Sequence, residues 1–456
     1  MRFLCFLPAL VLLVSTTTLF AQSAPEKWTL EKCIDYATKN NIGIQQADLN
    51  TQLNKNNYIQ SYANMLPSIN GGISNEWSNG KQFNLAAFKL TTQTSVTFAT
   101  QLGADLTLFS GLQQVHNVLK NKYNLQAAQM DWQDTKNTVA LNITTGFLQI
   151  MLVREVLQVA KNQYNISSTQ KETIEKRVNA GMMPETNLLD IEAQMARDEA
   201  NITNAQNTAD LAMLGLRLLL QLKPDEPFDV ELPVLTEEVT NQQGENLALG
   251  VYNTAVMTQP SILAAQARVK SAEFTRKMAW GTLSPTLTAN GSLYDYYNTQ
   301  NKSLDTSVND YVTTPWNTQY KDQFRKSFSL TLSVPIFGKL QRITNIQNAK
   351  LQYQNALLQL ESKKQSLQQT IYQAEADVRA AASAYFASKK SYDASKRAFD
   401  AQEKRYTAGA STSLDYQTAK NNLAAVESDL AKNKYTFIFK SKVLDFYQGK
   451  PITLSK

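Results

Sequence analysis

Apolar and polar positions alternate with a period of two in two stretches. Over residues 95–109, Val96, Phe98, Leu102, Ala104, Leu106 and Leu108 are separated by Ser95, Thr97, Gln101, Asp105 and Thr107. Over 328–336, Phe328, Leu330, Leu332, Val334 and Ile336 are separated by Ser329, Thr331, Ser333 and Pro335. This pattern predicts strands with one dry and one wet face. Each has a weaker partner upstream. One, over 68–77, carries Ile69, Gly71, Ile73 and Trp77 on one side; the other, over 286–297, carries Leu287, Ala289, Gly291 and Leu293. Two strand pairs follow, at about 67–78 with 94–109 and at about 285–298 with 323–337.

Elsewhere the period is helical. Residues 339–408 contain neither Pro nor Gly, and residues 112–180 contain only Gly146. Ile343, Ile346, Leu351, Leu357, Leu358, Ile371, Val378 and Tyr385 recur at helical spacing in the first of these. A helix of that length runs roughly 105 Å at about 1.5 Å per residue, far beyond a globular domain. Such helices bury narrow seams against one another. Shorter helices are expected to follow each, over about 185–221 and 412–447.

The two halves align. Arg177, Ala180 and Gly181 recur 228 positions later as Arg405, Ala408 and Gly409, and Phe109 as Phe337. Gly111 has its counterpart, Gly338, one residue early. Pro67 and Ala47 match Pro285 and Ala265 at offset 218, so ten extra residues fall in the second strand pair's loop, around 298–322. The expected organisation is a first repeat over 22–222, a Pro-containing connector over 223–250, and a second repeat over 251–456.

Residues 1–21 read as an export signal: Arg2, an apolar run over 3–14, then small and polar residues to Ala21. Cys5 lies within the apolar run, which argues against a lipid-modified cleavage site. No later apolar stretch reaches about 18 residues, so a membrane span is expected to be β-barrel. Alternating strands of about ten residues fit that expectation, and a soluble sheet with one dry face is the competing reading. Tyr294, Tyr296, Tyr297 and Trp77 are candidates for an interfacial aromatic girdle. Gln101, Asp105 and Thr331 are then candidates for the barrel lumen. Four strands cannot close a barrel, which needs about eight, so either several chains share one or the strands are soluble.

The remaining composition excludes chemistry. Cys33 is the one cysteine after the signal and His116 the one histidine, which weighs against a Ser-His-Asp triad or a zinc centre. No metal site, cofactor or enzymatic activity is expected. The excess of 45 basic over 39 acidic residues forms no basic cluster, so nucleic acid is not an expected partner.

Certain junctions carry a resemblance. Leu66-Pro67-Ser68 opens a strand. Leu108-Phe109-Ser110-Gly111 and Val334-Pro335-Ile336-Phe337-Gly338 lead from strand to helix. The segments 177–189 and 405–417 form two hairpin turns, each with its Gly. Together, and in this order twice, they resemble the TolC-family outer-membrane efflux proteins over essentially the whole mature chain. The resemblance implies an α+β membrane protein and a homotrimer. Each chain would contribute four transmembrane strands to a shared twelve-stranded barrel, continued by a long periplasmic α-helical coiled-coil barrel. It further implies outer-membrane lipid around the barrel, a periplasmic adaptor protein, and an inner-membrane pump of the RND or ABC type.

It also implies site residues. Asp415 matches a position lining the periplasmic aperture, although Thr412-Ser-Leu-Asp415 equally fits a helix capping box. The family's second aspartate there is Thr418 in this chain. Asp190 is a candidate for the missing charge, and Tyr406 matches a tyrosine that locks the closed tip. Gly181, Met182, Pro184, Gly409 and Thr412 form the tips expected to meet the adaptor, with Pro184 early in its helix. A structural or adhesive coiled-coil protein and a general porin are the competing readings.

Overall fold

The computed structural model describes residues 27–84, 88–223, 227–231, 233, 247–308, 310–450 and 453. The predicted export signal lies outside them, as does most of the connector. The chain opens with β1 (Lys27–Trp28), α1 (Leu30–Asn40) and α2 (Ile42–Ala63), then β2 (Ser68–Asn84) and β3 (Lys89–Phe109). Next come α3 (Gln113–Asn179), α4 (Thr186–Leu220) and β4 (Asp229–Val230). Then α5 (Leu247–Thr258) and α6 (Pro260–Gly281) lead to β5 (Thr286–Asn298). Its loop holds β6 (Lys302–Asp305), β7 (Asp310–Thr313) and α7 (Trp316–Gln323) before β8 (Arg325–Ser333). The last helices are α8 (Gln341–Thr407) and α9 (Ser413–Tyr447).

The long helices are as long as their uninterrupted composition predicts. Both α3 and α8 have 67 residues, about 100 Å. Both α4 and α9 have 35 and fold back along them. Where α4 ends, α2 begins: the Ile42 N–H donates to Gln221 Oε1 at 3.1 Å. Thus α2 and α6 take over as partners of α3, and α6 also packs on α8. The largest apolar cluster lies mid-body, where Leu30 and Cys33 of α1 meet Ile143, Phe147 and Ile150 of α3 and Leu216 and Leu220 of α4. A second joins α5, α6, α8 and α9 around Ala255, Ile262, Ile371 and Leu444.

Part of α3 meets the length and composition of a membrane span, although no apolar stretch of that length was expected after the signal. Thr144, Thr145 and Gln149 interrupt the run, so it does not read as continuous in sequence. Ile143, Phe147, Leu148, Ile150 and Met151 from this helix are buried in the mid-body cluster.

The four long strands form one antiparallel sheet in the order β2-β3-β5-β8. The two predicted pairs are therefore joined through β3 and β5, leaving one edge each on β2 and β8. The first pair is longer than expected, because its ladder continues through Thr-rich and Asn-rich positions that lack clean alternation. β8 is shorter: it stops at Ser333, and Val334, Pro335 and Ile336 leave the ladder where Pro335 has no N–H to donate. The loop around 298–322 holds a hairpin and a helix. Gln319 of α7 is fully buried; it accepts from the Asn298 N–H at 3.0 Å and donates to the Asn298 carbonyl at 3.1 Å. Its amide thereby stands in for a strand neighbour past Tyr294, where β8 begins at Arg325.

Each long helix follows two consecutive left-handed residues, Gly111 and Leu112 before α3, and Lys339 and Leu340 before α8. The early Gly338 is thus not the counterpart of Gly111; Lys339 takes that conformation at φ 50°. Gly111 is constrained twice, since a Cβ there would lie 2.4 Å from the Gly281 carbonyl oxygen at the end of α6.

Candidate functional site at the helix tips and the sheet

The two hairpin turns are built alike. Gly181 and Gly409 have φ of +70° and +76°, values that favour glycine. The Met182 N–H donates to Arg177 O and the Ala410 N–H to Arg405 O, each at 2.8 Å. The Gly181 N–H donates to Val178 O and the Gly409 N–H to Tyr406 O. Both long helices therefore end in Schellman motifs that satisfy their last carbonyls. The tips touch: Arg177 donates to the Thr407 carbonyl at 3.3 Å.

Asp415 sits in the first turn of α9. The Thr412 hydroxyl accepts from the Asp415 N–H at 3.1 Å, and the Asp415 carboxylate accepts from the Thr412 N–H at 3.4 Å, completing the predicted capping box. The carboxylate also accepts from the Thr412 hydroxyl at 2.7 Å and from Ser411 at 3.5 Å. These bonds, Thr412's foremost, hold its pKa below the usual carboxylate value, with Arg405 adding to them. It is exposed and ionised at neutral pH.

Thr418 is exposed one turn on, its hydroxyl donating to the Leu414 carbonyl at 2.8 Å. Asp190 is exposed on α4. Met182 is 77% exposed, and Thr412 and Pro184 are exposed beside it in their turns. Pro184 stands ahead of its helix rather than early in it. Glu185 is the N-cap, and the Pro184 carbonyl accepts from the Asn187 N–H at 3.2 Å, starting a tighter turn. Tyr406 does not share the surface of Asp415. It is buried with Phe399, Tyr416 and Leu423, stacked on Tyr416 at 4.9 Å between ring centroids.

A buried charged cluster lies behind the tips. Lys420 of α9 donates to Asp198 of α4 at 2.7 Å; their side chains are 1% and 5% exposed. Ser167 of α3 donates to the same carboxylate at 2.6 Å and Gln194 at 2.8 Å, while Lys420 also contacts Ser167. Burial pushes the Lys420 ammonium below its ordinary pKa and the Asp198 carboxylate opposes that. Three helices from both hairpins meet there. The sequence reading missed it, although the signal existed: Lys420 falls between Tyr416 and Leu423, and Asp198 follows Ile191 and Gln194, all at buried helical spacing.

At the other end the register sorts the sheet into two faces. Gln101 is opposite Tyr294, Asp105 opposite Asn290, and Thr331 opposite Thr288, which puts the three predicted lumen residues on one polar face. The other face carries Ile69, Ile73, Leu102, Leu293, Phe328 and Leu330, and it is exposed; Ile73 is 75% accessible. The aromatic girdle is split. Trp77 and Tyr297 lie on the apolar face, whereas Tyr294 and Tyr296 point with Gln101, since alternate residues on β5 leave opposite sides.

An exposed apolar sheet face set at one end of helices about 100 Å long defines a membrane-sheet protein with a coiled-coil body. A family model described as outer membrane efflux protein matches residues 33–221 and 251–445. The chain belongs to that family, and its place is the outer membrane. It is 21% identical over 283 residues to the toxin and drug export protein A of Aggregatibacter actinomycetemcomitans, covering 62% of this chain and 59% of that protein. It is 21% identical over 287 residues to the pyoverdine export outer membrane protein OpmQ of Pseudomonas putida, covering 60% of each. The chain thus spans about three-fifths of the length of these relatives. Its fold is that of the solved structure of CusC, with a TM-score of 0.77, 18% identity, and coverage of 95% of this chain and 96% of that one.

Proposed function

We propose that three copies of this chain form an exit duct across the outer membrane and the periplasm. The observation that carries this reading is the four-stranded sheet, which has an exposed apolar face and two free edges. Such edges are liabilities unless another chain pairs with them. Joining β8 of one copy to β2 of the next closes a twelve-stranded barrel with Ile73 and Phe328 outward and Gln101, Asp105 and Thr331 inward. The sheet end joined to α3 and α8 then faces the periplasm, and the loop holding α7 faces outside. The equal lengths of α3 with α8 and of α4 with α9 support two repeats, over 22–222 and 251–456, each giving one hairpin to a helical barrel.

The duct carries out no chemistry. An inner-membrane pump delivers cargo, and a periplasmic adaptor meets the turns at Gly181, Met182, Pro184, Gly409 and Thr412. Asp415 forms a ring of three carboxylates at the closed aperture, with Thr418 and Asp190 nearby, while Tyr406 shapes the tip through its packing on Tyr416. The names of the relatives point to toxins, drugs or pyoverdine as cargo.

The test is single-channel conductance of the purified protein in a planar bilayer, with its mass in detergent measured in parallel. A trimer with a small cation-selective conductance, blocked by divalent ions from the helix-tip side, is expected. A monomer, or a well-folded trimer that conducts nothing, overturns the proposal, and a large steadily open pore overturns the tip gate.

A further inference from the structure

The four strands stop at different levels at the end away from the long helices. β2 has 17 residues and β8 has nine. The β5–β8 ladder ends where Tyr294 meets Arg325, whereas β5 runs on to Asn298, and β2 and β3 run on further. Both edge strands meet their helices at the other end, since α2 leads into β2 and β8 leads into α8. Joined to β2 of the next copy, β8 therefore pairs with its inner residues. About eight outer ones, 77–84, keep a free edge. Strand N–H and C=O groups left open along an edge are a liability that needs a cover.

The short helix α7 stands in line with that gap. Gln319 holds the β5 edge at Asn298, on the side where β8 would continue, and it also donates to the Thr314 carbonyl at 2.7 Å. At about 3.6 residues per turn, Asn317 and Lys321 lie on the side of α7 opposite Gln319. Both are exposed. Without β8 between them, β5 and the next copy's β2 are two strand spacings apart, about 9–10 Å. A helix with its side chains measures about 10–12 Å across, so one helix spans that distance. Asn317 offers a donor and an acceptor, as Gln319 does, and Lys321 offers further donors. The Trp316 and Tyr320 rings, 4.4 Å apart between centroids, brace the helix along its flank.

We propose that α7 is a clasp between copies of this chain. Gln319 covers the β5 edge of its own chain, while Asn317 and Lys321 bond to the open N–H and C=O groups of residues 77–84 in the neighbouring copy. The proposal rests on the reading that β8 of one copy joins β2 of the next. It adds to that reading an assembly role for the longer external loop, and three such helices complete the wall where β8 is too short to do so.

The test is cross-linking of the full-length assembly with a short bismaleimide. Asn317→Cys or Lys321→Cys on α7 is combined with Asn79→Cys or Gln82→Cys on β2, and Cys33 is kept because it is buried. Chains linked into dimers and trimers on a denaturing gel are expected from at least one pair. Asp48→Cys on α2, used in place of the β2 cysteine, should give none. A second variant, Asn317→Ala with Lys321→Ala, alters only exposed side chains and keeps Gln319. Its trimer should dissociate at least about tenfold faster on heating in detergent, the scale of two hydrogen bonds lost between copies. An assembly that sizes as a trimer yet gives no linked chains, or a double variant that dissociates at the wild-type rate, overturns the clasp. A chain that sizes as a monomer refutes the shared barrel itself, so the two failures are told apart.

Discussion

Replacing Lys420 by Met leaves the Asp198 carboxylate buried without its counter-charge. The perturbation is severe because both side chains are almost fully excluded from water and their 2.7 Å contact joins α9 to α4. Breaking a buried pair in this way costs about 3–5 kcal/mol. Ser167 and Gln194 still donate to the carboxylate, which puts the expected loss near the lower end, about 3 kcal/mol. That is roughly a hundredfold shift in the local opening equilibrium. Replacing both charges with Lys420→Met and Asp198→Leu should recover most of it, since an apolar pair of similar volume is often neutral or better. The recovery falls short by about 1 kcal/mol for each hydrogen bond that Ser167 and Gln194 lose. The assay is hydrogen exchange resolved by mass spectrometry over residues 160–200 and 400–425, because a large membrane assembly unfolds irreversibly and global melting reports rates. Faster exchange in both hairpins of Lys420→Met, largely reversed in the double variant, is expected. Exchange that matches wild type in the single variant, or is worse in the double variant, would refute the claim that the pair binds the hairpins together.

Three further outcomes follow from the geometry. Since hydrogen bonds from Thr412 and Ser411 lower the Asp415 pKa, its contribution to the α9 end is complete above about pH 4, the unfolded value, and lost as pH falls through the lower folded value; proteolysis of the tip should accelerate over that acid range in wild type and lose this dependence in Asp415→Asn. Gly111→Ala should cost at least 1–3 kcal/mol, about the scale of one strained residue, because φ is +63° and the new Cβ meets the Gly281 carbonyl; thermal inactivation rates check it, with Gly72→Ala, which has open space around it, as the control. Burial pushes the Cys33 thiol up to about 12, so iodoacetamide at pH 8 should label it only after denaturation.

Much of this protein can be read from local patterns. Alternation at 95–109 and 328–336 marked strands, and the absence of Pro and nearly all Gly marked the two long helices. The repeated Arg-x-x-Ala-Gly marked both turns. Thr412-Ser-Leu-Asp415 gave the capping box because a cap depends on residues three apart along one chain. Tyr294 and Tyr296, girdle candidates by aromatic content, lie on the polar face because parity alone assigns a strand residue to its face. Pro335 continues the alternation of 328–336 but lies past the end of β8, whose ladder it cannot join without an N–H.

Local periodicity, composition and repeat spacing determined the elements, their order and the polarity of each sheet face, since these depend on neighbours within a turn or a strand. Long-range contact decided the rest. Only the packed structure joins β3 to β5 across the two halves, lets Lys339 take the conformation of Gly111, and sets Gln319 on the free edge at Asn298. Only there do Ser167, Asp198 and Lys420, from three helices up to 253 positions apart, close on one another. Each of these depends on which surfaces share a buried volume, and separation along the chain carries no record of that.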